Sequence, residues 1–200
     1  MASHPAPLRP LDIDRRRLLQ QLLDGGRRLA DTALVRARSG NISVRFGDGL
    51  LITTAGARLG SLLPGDVITV ERLGERPPNA SSETATHAAV YAARPDVAAV
   101  VHTHSPYATA WSMLGRPLQL TLEESDYYRM GDAVPVAAHA PGGSDELATG
   151  AARALGGAAA VLLERHGALT VGADLETALD VAESLEHQAQ VAWLLRQVTA

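Results

Sequence analysis

Two short apolar runs that end in histidine constrain this chain more than any other feature of its sequence. Val97 to Val101 leads into His102-Thr103-His104, and Ala158 to Leu163 leads into Glu164-Arg165-His166-Gly167. Uncharged runs of this length read as strands buried within a sheet. Each would deliver its histidines at a strand end, where a buried scaffold meets loops.

The remaining segments supply more strands and the helices to cover them. Asn41 to Phe46, the turn Gly47-Asp48-Gly49 and Leu50 to Thr53 read as a β-hairpin, and Asp66 to Glu71 as another short strand. Ala133 to Ala137 and Ala168 to Val171 add two more strands. Leu11 to Ala37 carries a helical apolar pattern through Leu18, Leu19, Leu22, Leu29 and Leu34, with Gly25-Gly26 expected to break or bend it. Further helices are expected from Ser81 or Ser82 to Ala93, from Ser105-Pro106 through Trp111, from Ser144 to Leu155 and from Leu175 to Val198. The sum is an α/β fold, a mixed sheet with helices on its faces. Residues 1–10 hold three prolines and no apolar period, so a mobile tail is expected there and a single domain over 11–200.

Composition excludes several chemistries. The chain has no cysteine, so disulfides, Cys-ligated zinc, iron–sulfur clusters and a thiol nucleophile are ruled out. All 18 basic side chains are arginine, which also rules out a Schiff-base lysine and a P-loop lysine. Any metal site must use His and carboxylates. A net charge of -4 without a basic stripe argues against a nucleic-acid partner, and Arg15-Arg16-Arg17 reads as the solvated side of the first helix. No signal-like N-terminus and no run near the ~20 apolar residues of a membrane span is present, so a cytoplasmic protein without a membrane partner is expected.

Within a strand, residues i and i+2 project from one face roughly 6.6 Å apart along the chain, so His102 and His104 can converge on one ion. His166 has the same placement at the end of the second run, and three histidines at equivalent boundaries suggest one metal site. Glu83 opens a helix, where a carboxylate also complements the helix dipole, and His87 lies on the same helical face, read as core or as support behind the site. Ser39-Gly40-Asn41-Ile42-Ser43 and Ser81-Ser82 offer backbone N–H groups and hydroxyls suited to an anion such as a phosphate monoester, although each is also an ordinary turn or cap.

Taken together and in order, Ser39-Gly40-Asn41-Ile42-Ser43, Leu51-Ile52-Thr53-Thr54-Ala55-Gly56, Ser81-Ser82-Glu83, Val101-His102-Thr103-His104 and Arg165-His166-Gly167 resemble the class II aldolase/adducin family, over about residues 12–198. The resemblance implies a three-layer α/β/α fold around a central mixed, largely antiparallel sheet. It implies that His102, His104 and His166 hold a divalent metal, zinc by default with manganese, iron or cobalt possible for such a donor set. It implies that Glu83 is the catalytic acid–base group, and that Gly40, Asn41, Gly56, Ser81 and Ser82 bind the phosphate of a sugar-phosphate substrate. A homotetramer with active sites between subunits is also implied. The expected reaction is a lyase's, cleavage or formation of a carbon–carbon bond in a small ketose phosphate, the metal stabilising an enediolate.

Glutamate at position 83 resembles the aldolases, whereas the family's epimerases typically carry aspartate there. Two positions depart from the fuculose-phosphate aldolases of the family: Ala55 stands where they have threonine, and Arg38 replaces a small polar residue at the start of the Gly40-Asn41 loop. Their proton-donating tyrosine falls near Glu123, with Tyr127 and Tyr128 close in sequence, and their longer C-terminal tail has no counterpart, so either Tyr127, Tyr128 or Arg129 compensates or the substrate is different. Alternatives on the same scaffold are a decarboxylase or dehydratase, a pentulose-phosphate 4-epimerase, and a non-catalytic adducin-like binding module.

Overall fold

A computed structural model describes residues 10–198, with side chains described from Ile13 onward; the expected tail at 1–10 falls almost entirely outside these residues. The architecture is α/β. Seven strands form one mixed sheet in the order β3-β2-β1-β4-β9-β8-β7. They are β1 (Asn41–Phe46), β2 (Gly49–Thr53), β3 (Val67–Val70), β4 (Ala99–Thr103), β7 (Val136–Ala137), β8 (Ala160–Leu163) and β9 (Gly167–Gly172). Every pairing is antiparallel except β7 with β8. A separate two-stranded ribbon pairs β5 (Leu118–Gln119) with β6 (Ala133–Val134).

Helices cover both faces, which is why the strands read as continuous apolar runs. Val101, Ile42, Val44 and Leu51 pack on one side with Leu22 and Leu29 of α1 (Pro10–Asp31) and Leu179 of α6 (Leu175–Val198). Val100, Leu50, Ile52, Val161 and Leu163 face the other way, against Val90 of α2 (Thr84–Ala93) and Leu147 and Leu155 of α5 (Asp145–Leu155). Adjacent strand residues thus feed opposite cores, the period-2 geometry of a sheet buried on both faces. A third cluster joins Trp111 of α3 (Pro106–Ser112) to Leu162 and to Leu185 of α6.

Three local expectations are corrected. Helix α1 runs unbroken through Gly25-Gly26, because these glycines are points of close approach: a Cβ on Gly26 would sit 2.4 Å from the Leu59 carbonyl oxygen, and one on Gly25 would sit 3.2 Å from both Leu175 and Leu179. The packing gained there outweighs the roughly 1 kcal/mol per glycine lost in helix propensity. The strand expected over 133–137 is split at Pro135, with β6 and β7 joining different sheets. Helix α2 begins at Thr84, so Ser81 and Ser82 precede it and Glu83 occupies its N-cap position. A four-residue α4 (Glu124–Tyr127) completes the six helices of the described residues.

Candidate active site

Antiparallel pairing gathers the sequence motifs at one end of the sheet. Asn41, at the start of β1, stands opposite His102 near the end of β4, and Thr103 stands opposite Ala168 at the start of β9. His166 occupies the turn between β8 and β9. The left-handed residue of that turn is Arg165 (φ 61°), not Gly167. Gly167 instead allows β9 to close on β4, since a Cβ there would lie 2.2 Å from the Thr103 carbonyl oxygen.

His102, His104 and His166 form a compact triangle, with ring centroids 4.8, 4.8 and 4.9 Å apart and candidate ligand nitrogens all within 4.8 Å of one another. His104 Nε2 lies 2.9 Å from His102 Nε2. Nδ1 of His102 donates to the Ala168 carbonyl at 2.9 Å, which fixes the tautomer and leaves the Nε2 lone pair for the cluster. Burial holds His102 and His104 neutral, pushing the first down to about 3 and the second down to about 4, with the neighbouring imidazoles adding to the effect.

Glu83 closes the triangle. Its Oε1 is 3.6 Å from His166 Nε2, its Oε2 is 3.6 Å from His102 Nε2, and only 4% of the residue is exposed. Burial raises its pKa above the ordinary carboxylate range, partly opposed by His166, by His104 and by a hydrogen bond from the Gly143 backbone N–H. Oε2 is buried with no hydrogen-bond partner. Three imidazoles, two of them held neutral by burial, and a buried carboxylate oxygen without a partner form a donor set that fits a divalent cation, whose charge would compensate that oxygen.

Behind this cluster lies a buried polar chain. His87 Nδ1 is 2.7 Å from Ser43 Oγ, which is 2.8 Å from the Tyr91 hydroxyl, and all three residues are at most 1% exposed. His87 belongs to the core, pushed down to about 3 by burial first and His102 second.

The residues expected from the sequence to bind an anion lie beside the cluster. Gly40 lies against the His102 carbonyl, Asn41 is buried, and Ser81 Oγ accepts the Glu83 N–H at 3.3 Å. Gly56 follows β2 on a loop tied to 79–81 by Ala55 N–H to Asn79 carbonyl and Ser81 N–H to Thr53 carbonyl bonds. Ser82 is exposed at the same edge.

Tyr127, Tyr128 and Arg129 are elsewhere. They line a cavity of about 670 Å³ with Val97, Gly172 and Ala173, at the end of β4 and β9 opposite the histidines. Nearness in sequence to the expected tyrosine does not bring them to this chain's own cluster.

Sequence reasoning missed Gly142 and Gly143. A Cβ on Gly142 would lie 3.4 Å from Glu83 Oε1 and 3.7 Å from His166, and one on Gly143 (φ 75°) would lie 2.8 Å from the Ser82 carbonyl oxygen. Their contribution is a backbone N–H and free space, and the only sequence signal was Pro141-Gly142-Gly143 preceding the Ser144 cap.

The model of the class II aldolase and adducin N-terminal domain matches residues 20–193. A 5-methylthioribulose-1-phosphate/5-deoxyribulose-1-phosphate aldolase from Rhodospirillum rubrum is 37% identical over 183 residues, covering 88% of this chain and 80% of the relative. An L-fuculose phosphate aldolase from Escherichia coli K12 is 33% identical over 185 residues, 90% of this chain and 84% of that protein. The crystal structure of an L-fuculose-1-phosphate aldolase from Thermus thermophilus superposes with a TM-score of 0.85 at 34% identity, covering 92% of this chain and 97% of that one. Sequence and fold agree over nearly the whole length, and the chain belongs to the class II aldolase/adducin family.

Proposed function

We propose that this protein is a metal-dependent aldolase that cleaves and forms a carbon–carbon bond in a ketulose 1-phosphate. The observation that carries the reading is the triangle of buried His102 and half-buried His104 and His166, closed by the buried Glu83. Similar proteins named for 1-phosphorylated ketoses support the substrate class.

His102, His104 and His166 would hold a divalent ion, zinc by default, which would supply Lewis acidity toward the substrate's carbonyl. His102 is held in the ligating tautomer by Ala168. Glu83, whose burial favours its protonated form, carries a proton to and from the carbon that becomes nucleophilic, with the Gly143 N–H orienting its carboxyl group. Gly40, Asn41, Gly56, Ser81 and Ser82 bind the phosphate and so fix which carbon faces Glu83. Tyr127 and Tyr128 would act as proton donors only from a neighbouring copy, in keeping with a homotetramer whose active sites lie between subunits. Among the described residues no helix is long and apolar enough to cross a membrane.

The test is incubation of the metal-loaded protein with 5-deoxyribulose 1-phosphate and fuculose 1-phosphate, reading release of dihydroxyacetone phosphate. Release of the triose phosphate with the matching aldehyde supports the assignment. Isomerisation without cleavage, or loss of carbon dioxide from an acid substrate alone, would assign another reaction to the site.

A further inference from the structure

We propose that Arg38 is a specificity-determining ligand for the substrate's phosphate, a role that deepens the aldolase reading and rests on it. The loop before β1 turns twice through left-handed residues on either side of Arg38, at Ala37 (φ 53°) and Gly40 (φ 78°). Ser39 closes the turn by donating from Oγ to the Arg36 carbonyl at 2.8 Å, which leaves the Arg38 side chain to project outward. Its guanidinium donates through Nη1 to the Gly56 carbonyl and spans the two loops that carry Gly40, Asn41 and Gly56.

That bond uses one of the five N–H donors of a guanidinium. No ion pair neutralises Arg38 among the described residues, in contrast to Arg28, which meets Glu176, Asp180 and Glu183, and to Arg94, which meets Asp96. The surroundings are also one-signed. The segments 32–40 and 54–65 contain Arg36, Arg38 and Arg58 and not one acidic residue, in a chain of net charge -4. An exposed planar cation without an ion-pair partner, anchored at one corner, suits a phosphate monoester dianion, which takes two N–H bonds from such a fork. The position also connects to the chemistry, because Gly40 packs against the carbonyl of His102. A small hydroxyl residue at 38 could supply one neutral donor, whereas arginine supplies charge, so the anion is held by charge at this corner of the pocket.

The alternative role is a clasp between two loops, and one variant separates the two. Arg38→Gln keeps a neutral N–H donor for Gly56 and loses the charge and the fork. Inorganic phosphate is titrated calorimetrically at constant ionic strength into the wild type, Arg38→Ala, Arg38→Gln, Arg38→Lys and His102→Ala. The expected result is a loss of about 10- to 100-fold in phosphate affinity for both Arg38→Ala and Arg38→Gln, a smaller loss for Arg38→Lys, and no more than a few-fold change for His102→Ala. Arg38→Gln binding phosphate as the wild type does would reduce the residue to a clasp and overturn the proposal. Affinity lost in His102→Ala and kept in Arg38→Ala would place the anion at the histidines and overturn it equally. Turnover distinguishes this failure from failure of the aldolase reading: cleavage of a ketulose 1-phosphate with unchanged KM in Arg38→Gln leaves the reaction standing and removes only Arg38.

Discussion

Glu83→Gln preserves size and shape while removing the carboxyl group proposed to carry the proton. General acid–base groups contribute roughly 10²–10⁴ in rate, or about 2.7–5.5 kcal/mol of barrier, and turnover should fall by at least about 10²-fold. Stability should move the other way. Glu83 is 4% exposed, its Oε2 has no hydrogen-bond partner, and burial is the main cause of its raised pKa, so ionising it in place is opposed by lost solvation. Relieving one under-satisfied buried group is worth about 1–2 kcal/mol, equivalent to ~2–8 °C in Tm for a chain of this size. The assay pairs coupled detection of released triose phosphate with thermal melts in excess chelator. Turnover within three-fold of the wild type would remove Glu83 from proton transfer. A metal-free melt several degrees below the wild type would show that the carboxylate is well compensated, contrary to the geometry described.

Gly143→Ala should destabilise by about 1–3 kcal/mol and lower activity, because its φ of 75° is unfavourable for alanine and the added Cβ would lie 2.8 Å from the Ser82 carbonyl oxygen; a melt and activity equal to wild type would contradict this. Metal-free protein should lose stability as pH falls below about 6.5, since His87, His102 and His104 bind protons more readily unfolded than folded, where burial pushes them down to about 3, 3 and 4. Each contributes up to about 1.4 kcal/mol per pH unit between those limits, so urea midpoints that coincide at pH 7 and pH 5 would refute it. Arg28→Met should cost about 1 kcal/mol after allowance for its partial exposure, read by urea melts, because it leaves Glu176, Asp180 and Glu183 clustered on α6 without their cation; an unchanged midpoint would make the cluster energetically neutral.

The sequence disclosed most of the scaffold because the burial pattern is strong. Runs such as Val97 to Val101 and Ala158 to Leu163 can satisfy their apolar side chains only between two helical layers, and the histidines that end them fall at one end of the sheet once the pairing is antiparallel. Segments of two to four residues, β5 and α4, escaped because so few residues carry no period. Gly25-Gly26 misled because the gain from close packing on Leu59 and α6 is tertiary and leaves no local mark. Gly142 and Gly143 were missed for a related reason: what they offer Glu83 is backbone and space. Tyr127 and Tyr128 show the limit most clearly, for proximity in sequence to a motif does not reveal which end of a strand a loop returns to.

Whether His102, His104 and His166 hold a divalent metal with Glu83 beside it is decided by elemental analysis of the purified, unsupplemented protein, set against His102→Ala. Near one transition metal ion per chain is expected in the wild type and less than about a tenth of that in the variant, since removing one of three ligands typically costs far more than the 10–100-fold lost with an outer partner. No metal in the wild type with none taken up on titration, or equal metal in both proteins, would contradict it.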